Sequence, residues 1–122
     1  PALQKELTAK GVEIIEVAVL TPKIVMEHLY AKEVSKVLWE CGGTLAAKAI
    51  ADGTIQKVMA FIAPKIIGGI SAPSPVADLG LKAMTDALQL QQVKTQAIDS
   101  DILIEGYLLP LRSSKKYPKG IR

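Results

Sequence analysis

Val37-Leu38-Trp39-Glu40-Cys41-Gly42-Gly43-Thr44-Leu45-Ala46 runs from an apolar stretch through two glycines into an alanine-rich segment. The pattern reads as strand, tight turn, helix start. Glycine lacks a Cβ, so two in a row let the backbone turn sharply and let another group come close. The first-turn amides of the helix that follows have no partners within it. With the helix dipole they make an anion site suited to phosphate or pyrophosphate. Ligands of parallel sheets bind at the carboxyl ends of strands, where this turn falls. It is neither a GxGxxG fingerprint nor a P-loop. A Gly-Gly turn also serves as a plain bend, and spacing alone leaves both readings open. Glu40 is either a ligand for sugar hydroxyls or an exposed acid at a strand end.

Working outward, Leu3 and Leu7 mark a helix that Gly11 stops. Residues 12–20 are rich in Val, Ile and Leu and predict a strand. Thr21-Pro22 is an N-cap followed by proline at the first helical position. Ile24, Val25, His28 and Leu29 then predict a helix to about residue 33. Residues 36–39 predict a short strand, residues 44–52 a helix stopped by Gly53, and residues 57–63 a third strand. Alternating strands and helices with short connections predict right-handed crossovers and a parallel sheet, its second and third strands buried on both faces. Residues 68–80, with three glycines and two prolines, predict a long loop. A short helical piece over 81–86 and two strands around Asp99-Ser100-Asp101 complete the chain as an antiparallel hairpin.

Composition narrows the chemistry. The 122 residues suit one domain, and 49% hydrophobic content suffices for a core. One cysteine, Cys41, excludes an internal disulfide, and with one histidine no Cys/His zinc site can be built. No apolar run reaches the ~18 residues of a membrane helix, and no secretory leader is read at the start. The net charge of +3 suggests nucleic acid. Yet Arg112, Lys115, Lys116, Lys119 and Arg122 crowd the end, leaving ten basic and twelve acidic side chains in residues 1–111. A basic tail on a slightly acidic body is no nucleic-acid face. Cys41 reads as a small packing residue, His28 as a core or boundary histidine, and Asp99 and Asp101 as turn residues.

The stretch from Val37 to Ala46 resembles the Glu-x-Gly-x-Thr-Leu motif of the riboflavin-biosynthesis reductases. Phe61-Ile62-Ala63-Pro64-Lys65-Ile66-Ile67-Gly68-Gly69 and Asp101-Ile102-Leu103-Ile104-Glu105-Gly106-Tyr107 extend the likeness, which covers roughly residues 1–109. The Trp39-Glu40-Cys41-Gly42-Gly43 form is most similar to cyanobacterial and plant members. The resemblance implies a dihydrofolate-reductase-like α/β fold whose mixed sheet has parallel strands, crossover helices and a C-terminal hairpin. It implies NADPH as cofactor, with Gly42, Gly43, Thr44, Leu45 and Ala46 around its phosphates and Glu40 on the substrate's sugar chain. The implied reaction reduces the ribosyl side chain of 5-amino-6-(5-phosphoribosylamino)uracil to ribityl. No catalytic side chain and no metal ligand is named. A homodimer is implied, with cytoplasmic location, or plastid location for a plant owner.

The His-x-Glu and Pro-Cys-x-x-Cys deaminase signature is absent, so this chain cannot deaminate by itself; the resemblance implies a deaminase domain upstream in the full protein. The family's opening strands are also expected upstream of Pro1. Residues 1–109 then form the C-terminal portion of a reductase domain, inactive alone, and residues 110–122 a basic, unordered tail. Two alternatives stand beside this reading: another dihydrofolate-reductase-like NADPH reductase, and a non-catalytic nucleotide-binding or dimerisation module.

Overall fold

A computed structural model describes residues 2–108. Helix α1 spans Ala2–Ala9. Gly11 ends it at φ 81°, a conformation that glycine reaches without a Cβ penalty, and the Val12 N–H reaches back to the Leu7 carbonyl. Helix α2 spans Pro22–Ala31, with the Thr21 hydroxyl accepting the Ile24 N–H at 3.2 Å. Helix α3 spans Gly43–Ala51 with Gly42 as N-cap. The Lys23 N–H, in the first turn of α2, donates to the Asp52 carboxylate at the end of α3, 3.3 Å away. The two helices pack together, and Ala47 and Ala49 of α3 are buried.

Strands β1 (Lys57–Ile62), β2 (Leu90–Ile98) and β3 (Asp101–Leu108) form one sheet in the order β1-β3-β2, antiparallel throughout. The predicted hairpin is present. Its turn places Asp99 at φ 51°, a region that a short carboxylate residue tolerates better than most. In β2 a bulge at Gln92 and Val93 faces Gly106. A Cβ on Gly106 would lie 2.9 Å from the Leu90 Cβ, so the bulged strand closes over this glycine. Leu103, in the central strand β3, is the sheet's one buried apolar side chain among the described residues.

No parallel pairing is present among the described residues. Residues 12–20 and 36–39 belong to no strand, and β1 pairs antiparallel with β3. A parallel strand is held by neighbours on its edges, and among the described residues neither segment has one. Ile14, Ile15, Val17 and Val19 are exposed. Side chains tether the first segment: Gln4 donates to Glu16 at 2.8 Å, and Lys32 pairs with Glu13. That pairing holds the Glu13 carboxyl below its ordinary range. The expected tail of 110–122 lies outside the described residues.

Candidate functional site

Glycine 42 begins α3 with extended backbone (φ −75°, ψ 169°) and no side-chain cap. The first intrahelical bond runs from the Ala46 N–H to the Gly42 carbonyl at 3.0 Å. The N–H groups of Gly43, Thr44 and Leu45 are therefore the open donors of the first turn, and none has a partner among the described residues. Gly42, Thr44 and Leu45 are exposed, and Ala46 is half-buried. Of the three donor residues, Thr44 and Leu45 are exposed and Gly43 is half-buried. Three convergent N–H groups at the positive end of a nine-residue helix fit a phosphate.

The two glycines do different work. A Cβ on Gly42 would meet nothing within 4 Å. A Cβ on Gly43 would lie 2.5 Å from the Ser74 carbonyl oxygen and 3.1 Å from the Ala77 nitrogen. The Ala77 N–H donates to the Gly43 carbonyl at 3.0 Å, and the Ser74 hydroxyl donates to the Val76 carbonyl at 2.7 Å. Room on the Gly43 Cβ side is thus taken by the protein itself, and only Gly42 leaves space for an approaching group. The sequence predicts only a loop over residues 68–80. Its glycines and prolines, Pro75 among them, do not say where the loop lands.

Glu40 is exposed, and its carboxylate makes no hydrogen bond or ion pair among the described residues. It stands two residues before the N-cap, at the end of an unpaired stretch rather than of a strand. The acid is therefore available to a hydroxyl-bearing ligand. Trp39 and Cys41 on either side are half-buried, and the Trp39 indole N–H is buried without a partner. His28 is half-buried, as expected of a boundary histidine, and its Nε2 is buried without a partner among the described residues. Among the described residues no three of His, Cys, Asp or Glu gather as metal ligands. No helix there is long and apolar enough to cross a membrane.

On the sheet, Lys57 and Glu105 form a cross-strand ion pair at 2.9 Å, and the Lys57 ammonium lies 5.7 Å from the centre of the Tyr107 ring. The hydrogen bond to Glu105 raises the Lys57 pKa above its ordinary value.

Residues 2–104 match the family described as the RibD C-terminal domain. The chain belongs to that family. It is 51% identical over 110 residues to the riboflavin biosynthesis protein PYRR, chloroplastic, of Arabidopsis thaliana, a match covering 90% of this chain and 18% of that protein. It is 58% identical over 97 residues to the riboflavin biosynthesis protein RibD of a Synechocystis strain, covering 80% and 26%. The structure of Acinetobacter baumannii RibD superimposes with a TM-score of 0.74 at 26% identity, covering 86% of this chain and 29% of that one. The plant and cyanobacterial matches agree with the form of the Trp39-Glu40-Cys41 stretch. The chain spans between about a sixth and a third of the length of these relatives.

Proposed function

We propose that the full-length protein reduces the ribosyl side chain of 5-amino-6-(5-phosphoribosylamino)uracil to ribityl with NADPH, in riboflavin biosynthesis, and that this chain supplies part of the site. Membership of the RibD C-terminal family carries the reading. The open first turn of α3 supports it independently, because it fits a phosphate-bearing cofactor. NADPH, when bound, supplies the hydride, and protein groups position the two reactants. Gly43, Thr44 and Leu45 offer backbone donors to its phosphates, Gly42 leaves the approach clear, and Ala46 closes the first helical bond. Glu40 accepts hydrogen bonds from the substrate's sugar hydroxyls.

The finer architecture belongs to the same proposal. Residues 12–20 and 36–39 pair as parallel strands with neighbours from elsewhere in the full-length protein. The Val, Ile and Leu side chains that stand exposed along 12–20 support this, since water is a poor environment for them. Residues 1–109 are the C-terminal portion of a reductase domain. A deaminase domain upstream is consistent with the short share of RibD that the chain matches. A homodimer fits the exposed Met59 and Phe61, which share one face of β1. The location is cytoplasmic, or plastid for a plant owner, in line with the chloroplastic name of the plant relative.

The test is NADPH oxidation by the purified full-length protein with the deaminated phosphoribosylaminopyrimidine. Substrate-dependent loss of absorbance at the reduced-nicotinamide band, with a ribityl product by mass, is expected. Oxidation with no ribityl product would overturn the substrate, and no NADPH binding at all would overturn the cofactor.

A further inference from the structure

We infer that Ala77 is a positioning residue for the cofactor site, acting through its backbone N–H on the Gly43–Thr44 peptide; this rests on the proposal that α3 holds the NADPH phosphates. Residues 63–75 are exposed throughout, and Ile66, Ile67 and Ile70 are fully so. Partial burial resumes at Val76 and Ala77, where the chain crosses the start of α3. Among the described residues, the bond from the Ala77 N–H to the Gly43 carbonyl is the one hydrogen bond tying residues 63–89 to a distant part of the chain.

The acceptor's position makes that tether matter. The Gly43 carbonyl and the Thr44 N–H belong to one rigid, planar, trans peptide unit, so they point in opposite directions. That carbonyl also accepts the helical bond from the Ala47 N–H, so the Ala77 N–H is a second donor that adds to the hold on the direction of the Thr44 N–H, one of the three open donors. It also polarises the unit and so strengthens that N–H as a donor. The grip is itself held in place. The Ser74 hydroxyl closes a turn onto the Val76 carbonyl at 2.7 Å. The Ser74 carbonyl and the Ala77 nitrogen sit where a Gly43 side chain would otherwise stand. Nothing in this arrangement touches Glu40, so its effect falls on the cofactor and not on the substrate.

The experiment uses the full-length protein and measures NADPH Kd by fluorescence without substrate, alongside KM, kcat and Tm. Ala77→Pro removes the N–H and is expected to raise the NADPH Kd and KM about three- to tenfold, the range one lost hydrogen bond spans, with kcat and the substrate KM kept. Ala77→Ser, which retains the N–H, is expected to restore the parent Kd. If Ala77→Pro does not fold, Ser74→Ala at an exposed hydroxyl carries the test, with an expected rise of about threefold. An unmoved NADPH Kd, or equal losses in kcat and both KM values, overturns the inference. A parent protein that binds no NADPH defeats the cofactor reading instead, which separates the two failures.

Discussion

A Cβ on Gly43 would stand 2.5 Å from the carbonyl oxygen of Ser74, closer than real Cβ atoms come. The first turn of α3 and the loop that braces it therefore meet at a residue without a side chain.

Gly43→Ala forces that contact apart. Overpacking of this kind costs about 1–3 kcal/mol, while replacing a helical glycine by alanine returns up to ~1 kcal/mol. A net loss of stability is expected, read as a lower urea midpoint at constant slope. A midpoint equal to the parent's would mean that residues 74–77 move aside at no cost.

Gly42→Asp separates folding from ligand binding at the neighbouring position. Aspartate is a good N-cap, and the Cβ meets nothing, so stability within about 0.5 kcal/mol of the parent, or above it, is expected. Its carboxylate would occupy the open amides and repel phosphate. The NADPH KM of the full-length protein should rise about tenfold or more, corresponding to ~1.4 kcal/mol. An unchanged KM would remove residues 42–46 from the cofactor site.

Glu40→Gln keeps shape and removes charge at a carboxylate with no protein partner among the described residues. Hydrogen bonds to charged groups contribute about 1.5–3 kcal/mol, so the substrate KM should rise at least severalfold with NADPH affinity nearly kept. Steady-state kinetics with each reactant varied in turn decides it. Loss confined to NADPH would assign Glu40 to the cofactor.

The Lys57–Glu105 pair predicts an alkaline dependence of stability. Lys57 has its pKa raised above the ordinary 10.5 in the folded protein, chiefly by the hydrogen bond to Glu105. The folded state therefore holds the proton more tightly than the unfolded state does. The stabilisation is fully present below the unfolded pKa and is lost as pH rises through the folded one. The stability gap between the parent and Glu105→Gln should stay constant from neutral pH to about 10 and narrow above it. Denaturation midpoints across that range measure the gap, and a gap that widens with pH would be wrong in sign.

What was legible in the sequence was local. Thr21-Pro22 announces α2, Gly11 and Gly53 stop their helices, and Asp99-Ser100 turns the hairpin, because each acts within a few residues. The glycine turn at 42–43 was legible for the same reason. Pairing was not. The Val, Ile and Leu of residues 12–20 signal strand character, yet character does not supply a neighbour, and the segment lies outside the sheet. The place of β3 between β1 and β2 is set by distant contacts that periodicity does not record. Nor does the pattern say that Gly43 makes room for Ser74 while Gly42 alone stays open, since that contact joins residues about thirty apart.

The order β1-β3-β2 also sets a timetable for synthesis. Phe61 finds its partner only in Leu103, about forty residues later, and β1 has no other strand to pair with among the described residues. At about 5–20 residues per second, β1 leaves the ribosome roughly 2–8 seconds before its partner exists. Throughout that interval Met59, Phe61 and Ile62 present an apolar strand with an open edge, the form most prone to wrong pairing. The cell's demand for holding factors during translation should therefore peak while residues 63–100 are being made, and slowing elongation there should lower the yield of folded protein.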